Sequence, residues 1–88
     1  MSDSEFLAQI EREPSSILEA REELWRITVE RRGIESQLSR EGRRGPRAQS
    51  MGPKKYDEWR RSAVHALRLK EHRQLFLKQW IWKQRHPS

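Results

Sequence analysis

The 88-residue chain has no cysteine. This excludes a disulfide framework and any thiolate metal site, and the fold needs no oxidising compartment. Long apolar runs are also missing. A membrane span takes about 18 or more apolar residues, and a secretory signal joins a basic start to a run of roughly 7–15 of them. The chain opens instead with "MSDSEFLAQI", which is acidic and mixed. Both absences lead us to expect a cytoplasmic protein, in the host cytoplasm if the chain is phage-encoded, with membrane contact disfavoured. Apolar residues are scarce at 33%, against 36% charged, so the core must be small. Acid is nearly missing from the second half. Residues 42–88 hold three Asp/Glu against thirteen Lys/Arg, whereas residues 1–41 hold ten against six. Two such halves attract each other, within one molecule or between two.

What is present reads as helix, in one domain covering 1–88. "SDSEFLAQIERE" places Glu5 three residues after Ser2, a capping-box pattern. Pro14 disfavours helical geometry at Glu13, so the first helix is short, about residues 3–12, and needs something to dock on. Ser16 and Glu19 repeat the capping pattern. Ile17, Ala20, Leu24, Ile27, Ile34 and Leu38 then follow a three-four alternation, broken by Arg31. This predicts one helix over about 16–41, with a bend at Gly33. "GRRGPRAQSMGPKK", residues 42–55, has three Gly, two Gly-Pro steps and five basic residues. It reads as a mobile basic linker, longer than the usual helix connection of about 2–8 residues.

The last helix is predicted over about 56–86, with Asp57 and Glu58 near its start and Lys83, Arg85 and His86 near its end, as the helix dipole favours. At about 100° per residue, Trp59, Ala63, Ala66, Leu77 and Ile81 share a side, flanked by Leu67, Leu69, Phe76 and Trp80. Lys70 and Arg73 fall inside this apolar face. They must either snorkel along it or meet acids of the first long helix. The resulting fold class is all-α: an antiparallel helical hairpin of two long helices with a short amino-terminal helix. Two hairpins pairing into a four-helix bundle, a homodimer, would extend it.

Several apolar residues lie outside the hairpin seam. Trp25 and Val29 do so on the first long helix; Val64, Leu75 and Trp82 do so on the last. A two-helix hairpin buries one stripe from each helix, so these residues need a second surface. Together with Phe76 and Trp80 they are the candidate partner-binding set, since exposed Trp is a favoured hot-spot residue.

The residues offer no catalytic pattern. His65 and His72 are seven apart, not the four of a helical zinc pair, and no third ligand is evident. The serines lack a Gly-x-Ser-x-Gly setting. "GRRGP" has proline where a phosphate cradle would begin its helix. No enzyme, metal, cofactor or small-molecule substrate is expected. Two macromolecular readings remain. One is docking on a protein. The other is non-specific nucleic-acid contact through Arg43, Arg44, Arg47, Lys54 and Lys55 of the linker and Arg60, Arg61, Arg68, Lys78, Lys83 and Arg85 of the last helix. The same cations would steer an acidic protein partner.

"YDEWRRSAVHALRLKEHRQLFLKQWI", Tyr56 to Ile81, resembles the carboxy-terminal helix of small helical proteins of bacteriophage and prophage genomes. The shared features are the leading aromatic, the acidic-Trp-basic turn at Glu58–Arg60, the small Ala63, the Lys70-Glu71 step and the closing Lys-x-Trp-Ile. The resemblance covers about a third of the chain and implies a setting rather than an activity: a small protein that binds and redirects a host protein, as an inhibitor or adaptor.

Overall fold

The computed structural model describes residues 2–87. It contains α1 (Asp3–Glu11), α2 (Ile17–Arg40), α3 (Pro46–Met51) and α4 (Pro53–Arg85), and no strand among the described residues. The two long helices, α2 and α4, pack together as the predicted hairpin, and α1 and α3 each lie against α4. The molecule is elongated, 54 × 26 × 17 Å.

Local chemistry accounts for the helix starts. The Ser2 hydroxyl accepts from the Glu5 backbone N–H at 3.3 Å, and the Ser16 hydroxyl from that of Glu19 at 3.1 Å. The serine half of each capping box is therefore present. The Glu19 carboxylate turns instead to the Ser15 hydroxyl. α2 runs unbroken through Gly33 as the one helix expected over about 16–41.

The segment read as a linker carries helix where none was expected, over Pro46–Met51 and from Pro53 onward. Pro46 sits at the first position of α3 and Pro53 at the first position of α4. Proline is well suited to that place because its missing N–H would be unpaired there and its φ is already helical. Gly52 makes the corner between the two helices with φ +84°, a conformation that only glycine adopts easily. α4 consequently starts three residues earlier than expected. Lys54 and Lys55, not Asp57 and Glu58, occupy its first turn, against the dipole. The segment is held from both sides. Tyr56, almost fully buried, donates its hydroxyl to the Glu41 carbonyl at 2.5 Å. Arg47 lies over the Trp59 ring at 4.6 Å.

The hydrophobic core is thin. Ala20, Ile27 and Leu77 form its buried centre, with Leu24, Phe76, Trp80 and Ile81 partly buried around it. Polar side chains complete the helix interface. Gln74, buried on α4, donates to the Thr28 hydroxyl at 3.1 Å and accepts from Arg31 at 2.8 Å. The arginine that interrupts the apolar seam of α2 thus has a matching amide across the interface.

Arg73 joins three helices. Its Nε and one terminal nitrogen grip the two carboxylate oxygens of Glu23 at 2.7 and 2.9 Å. Its other terminal nitrogen donates to the Ile10 carbonyl at 2.8 Å and to the Arg12 carbonyl. These carbonyls lie at the end of α1, where helix geometry leaves acceptors unpaired. Lys70 reaches Glu30 at 2.6 Å, nearer solvent. Of the two fates open to Lys70 and Arg73, both take the ionic one. The acidic and basic halves therefore meet within a single molecule.

Candidate functional site

The apolar residues left outside the core fall into two stripes. On α2, Leu18, Trp25 and Val29 are spaced seven and four apart and therefore share a face. Trp25 is five positions beyond buried Ala20, about 140° around the helix, so this face points away from α4. It is well exposed, Trp25 to 72%. On α4, Leu75 and Trp82 are seven apart, and Trp82 lies five positions beyond buried Leu77, which turns it away from α2 in the same manner. Trp82 is 59% exposed and stacks on His86 with ring centroids 4.5 Å apart.

Because the inner faces of α2 and α4 look at each other, their outer stripes lie on opposite sides of the hairpin. One flat partner cannot cover Trp25 and Trp82 together. The proposed candidate set is divided accordingly. Trp25 and Val29 occupy one side; Leu75 and Trp82 occupy the other. Phe76 and Trp80 are half-buried against the core and serve mainly the fold. Val64 is half-buried and lies in a different, basic groove.

The α4 stripe has a neighbour that the sequence analysis did not single out. Exposed Leu7 of α1 and Leu75 border a groove of about 280 Å³ that Phe6, Ile10 and Phe76 also line, with Glu11, His72 and Gln79 as its polar members. Phe6 is seated between two histidines, its ring centroid 6.2 Å from that of His65 and 5.7 Å from that of His72. These two histidines pack an aromatic ring. Among the described residues, no three His, Asp or Glu side chains converge where a metal ion could sit. Leu18 was also missed, although its seven-residue spacing from Trp25 marks the same stripe. Leu7 carried no such mark, because it joins Leu75 only through the docking of α1.

The cations sort by direction. Lys70 and Arg73 face α2 and are paired. Arg43 is bound to Asp57 at 3.1 Å, and Arg47 approaches Glu41 at 3.8 Å. Among the described residues, Arg44, Lys54, Lys55, Arg60, Arg61, Arg68, Lys78, Lys83 and Arg85 have no carboxylate within 4 Å. Arg60, Arg61 and Arg68 line a groove of about 540 Å³ with Arg43, Val64 and His65. The groove lies at the linker end of α4. Lys78, Lys83 and Arg85 lie toward the opposite end, near Trp82.

The titration of Glu23 is clearly moved. The hydrogen bonds from Arg73 lower its pKa from the ordinary 4.5, against the opposing effect of burial, and the charges of Arg73, Arg12 and Arg26 add to the lowering. Its position between three helices marks it as structural. No helix is long and apolar enough to cross a membrane among the described residues. Compared with family models, with curated proteins and with solved structures, the chain matches none.

Proposed function

We propose that the protein is a non-enzymatic binding module that docks on a partner protein through the α1/α4 side, with Leu7, Leu75 and Trp82 as its contact residues. The observation that carries this reading is the exposed Leu75–Trp82 stripe beside a groove lined by Phe6, Ile10 and Phe76. A mostly apolar groove, continued along α4 by Trp82 two turns beyond Leu75, suits an amphipathic helix of a partner, which inserts side chains at i, i+3 and i+7 spacing. The unpaired Lys78, Lys83 and Arg85 beside it would speed encounter with an acidic partner surface. The resemblance of α4 to small phage proteins supports a host protein as that partner, with the module acting as inhibitor or adaptor in the host cytoplasm.

The test is affinity capture from a bacterial lysate with the wild-type chain, Leu75→Ala/Trp82→Ala and Trp25→Ala/Val29→Ala, read by mass spectrometry with nuclease present. The reading expects a protein retained by the wild type and by the α2 variant and lost with the α4 variant, all three chains giving the same circular dichroism. Equal retention by both variants would refute it. Loss with the α2 variant alone would move the docking face to Trp25.

A further inference from the structure

We propose that the groove lined by Arg60, Arg61 and Arg68 binds the phosphate backbone of a nucleic-acid duplex, independently of the apolar α1/α4 face. The argument begins with the way charges are matched. The cations of α4 that face α2 have carboxylate partners, whereas those in this groove have none among the described residues. The groove's one acid, Asp57, is held by Arg43 at 3.1 Å. Three guanidinium groups thus share a concave surface of about 540 Å³ with no internal counter-charge of their own. Guanidinium is the side-chain group best shaped for bidentate binding of phosphate oxygens.

The geometry favours an extended polyanion over a single small ion. Arg60 and Arg68 are eight residues apart on one rigid helix, about 12 Å along its axis. That is close to the ~12 Å width of a duplex major groove, so one helix segment can reach phosphates on both rims. A single-stranded ligand would call for aromatic platforms on which bases stack. No Trp, Tyr or Phe lines this groove, and its one aromatic ring, His65, packs against Phe6 with centroids 6.2 Å apart; the exposed tryptophans lie elsewhere, Trp25 on the outer face of α2 and Trp82 near the far end of α4. With its arginines engaged on phosphate oxygens, the expected binding is sequence-independent and follows counterion release from the backbone.

The experiment is fluorescence anisotropy of a labelled duplex of roughly 20 base pairs and mixed sequence, titrated with the full chain over a series of salt concentrations. Three proteins are compared: wild type, Arg60→Gln/Arg61→Gln/Arg68→Gln, and Lys78→Gln/Lys83→Gln/Arg85→Gln, which removes the same charge near the other end of α4. Arg60 is half-buried, so the pair Arg61→Gln/Arg68→Gln, both exposed, serves as a second groove variant. Each phosphate contact contributes about 0.9 to the slope of log affinity against log salt. The groove triple should flatten that slope by about 2–3, the groove pair by about 2, and the far-end triple by under about 1. The proposal is overturned if the wild type fails to bind at low salt, or if the far-end triple weakens binding as much as the groove triple. It is also overturned if polyglutamate binds as tightly as the duplex and with the same loss in the groove variants, since the groove would then be an acidic-protein site.

Discussion

Replacing Arg73 by alanine tests how much of this fold rests on one guanidinium. Its ion pair with Glu23 is nearly dry, with side-chain exposures of 7% and 11%. Removing one member of such a pair strands the other charge and typically costs about 3–5 kcal/mol. Arg73→Ala also leaves the Ile10 and Arg12 carbonyls without their donor, although water can reach the latter. By size alone, a chain of 88 residues has a total stability of about 4–13 kcal/mol. The substitution therefore removes a large part of it, and Arg73→Ala should be largely unfolded at moderate temperature if the protein sits near the lower bound. Glu23→Ala is milder, because the guanidinium keeps its two carbonyls and its position 5.3 Å from the centre of the Phe76 ring. The measurement is a double-mutant cycle by urea denaturation followed by circular dichroism. The two losses should fall short of additivity by about 1–3 kcal/mol. Lys70→Ala, which breaks a pair 26% and 42% exposed, is the control and should cost under about 1 kcal/mol. The reasoning fails if Arg73→Ala costs no more than the Lys70 control, or if the cycle is additive.

Two glycines give opposite expectations. Gly33→Ala should raise stability by about 0.5–1 kcal/mol, because a methyl there meets nothing within 4 Å and the position is interior to α2. Gly52→Ala also meets nothing within 4 Å, yet its φ of +84° should make the change destabilising by about 1 kcal/mol or more. Thermal denaturation of both variants checks the pair, and equal shifts would contradict the backbone argument. Acid should weaken the fold through Glu23. Its folded pKa lies below its unfolded one, so its contribution is complete above pH 4.5 and is lost as the pH falls through the lower, folded value. Urea midpoints for the wild type should drop over that window, and Glu23→Gln, with no such proton to take up, should drop less.

Most of the fold was legible because it depends on local signals. Ser2, Ser16 and the apolar spacing of α2 and α4 act within a few residues of themselves, and the helices follow. α3 escaped because its Gly-Pro steps read as turns, while the same prolines equally open helices, and six residues are too few to show a period. For the candidate site, angular position alone identified Trp25, Val29, Leu75 and Trp82 as surplus to the seam. Position around a helix does not reveal what the chain ends add. The groove beside Leu75 exists because α1 folds across α4, and the grip of Arg73 on Ile10 and Arg12 spans some sixty residues. Phe76 and Trp80 sit at the margin of the apolar face, where a few degrees decide between core and surface, and they fell to the core.

The attachment of α1 has a consequence for the order in which the molecule assembles. Nine residues of helix cannot hold themselves together in water. Their anchorage at Arg73 comes into being only after the two long helices have closed and Glu23 has oriented the guanidinium. The amino terminus is then a late arrival in folding and an early departure in unfolding. Hydrogen exchange would find its amides released well before those around Leu77.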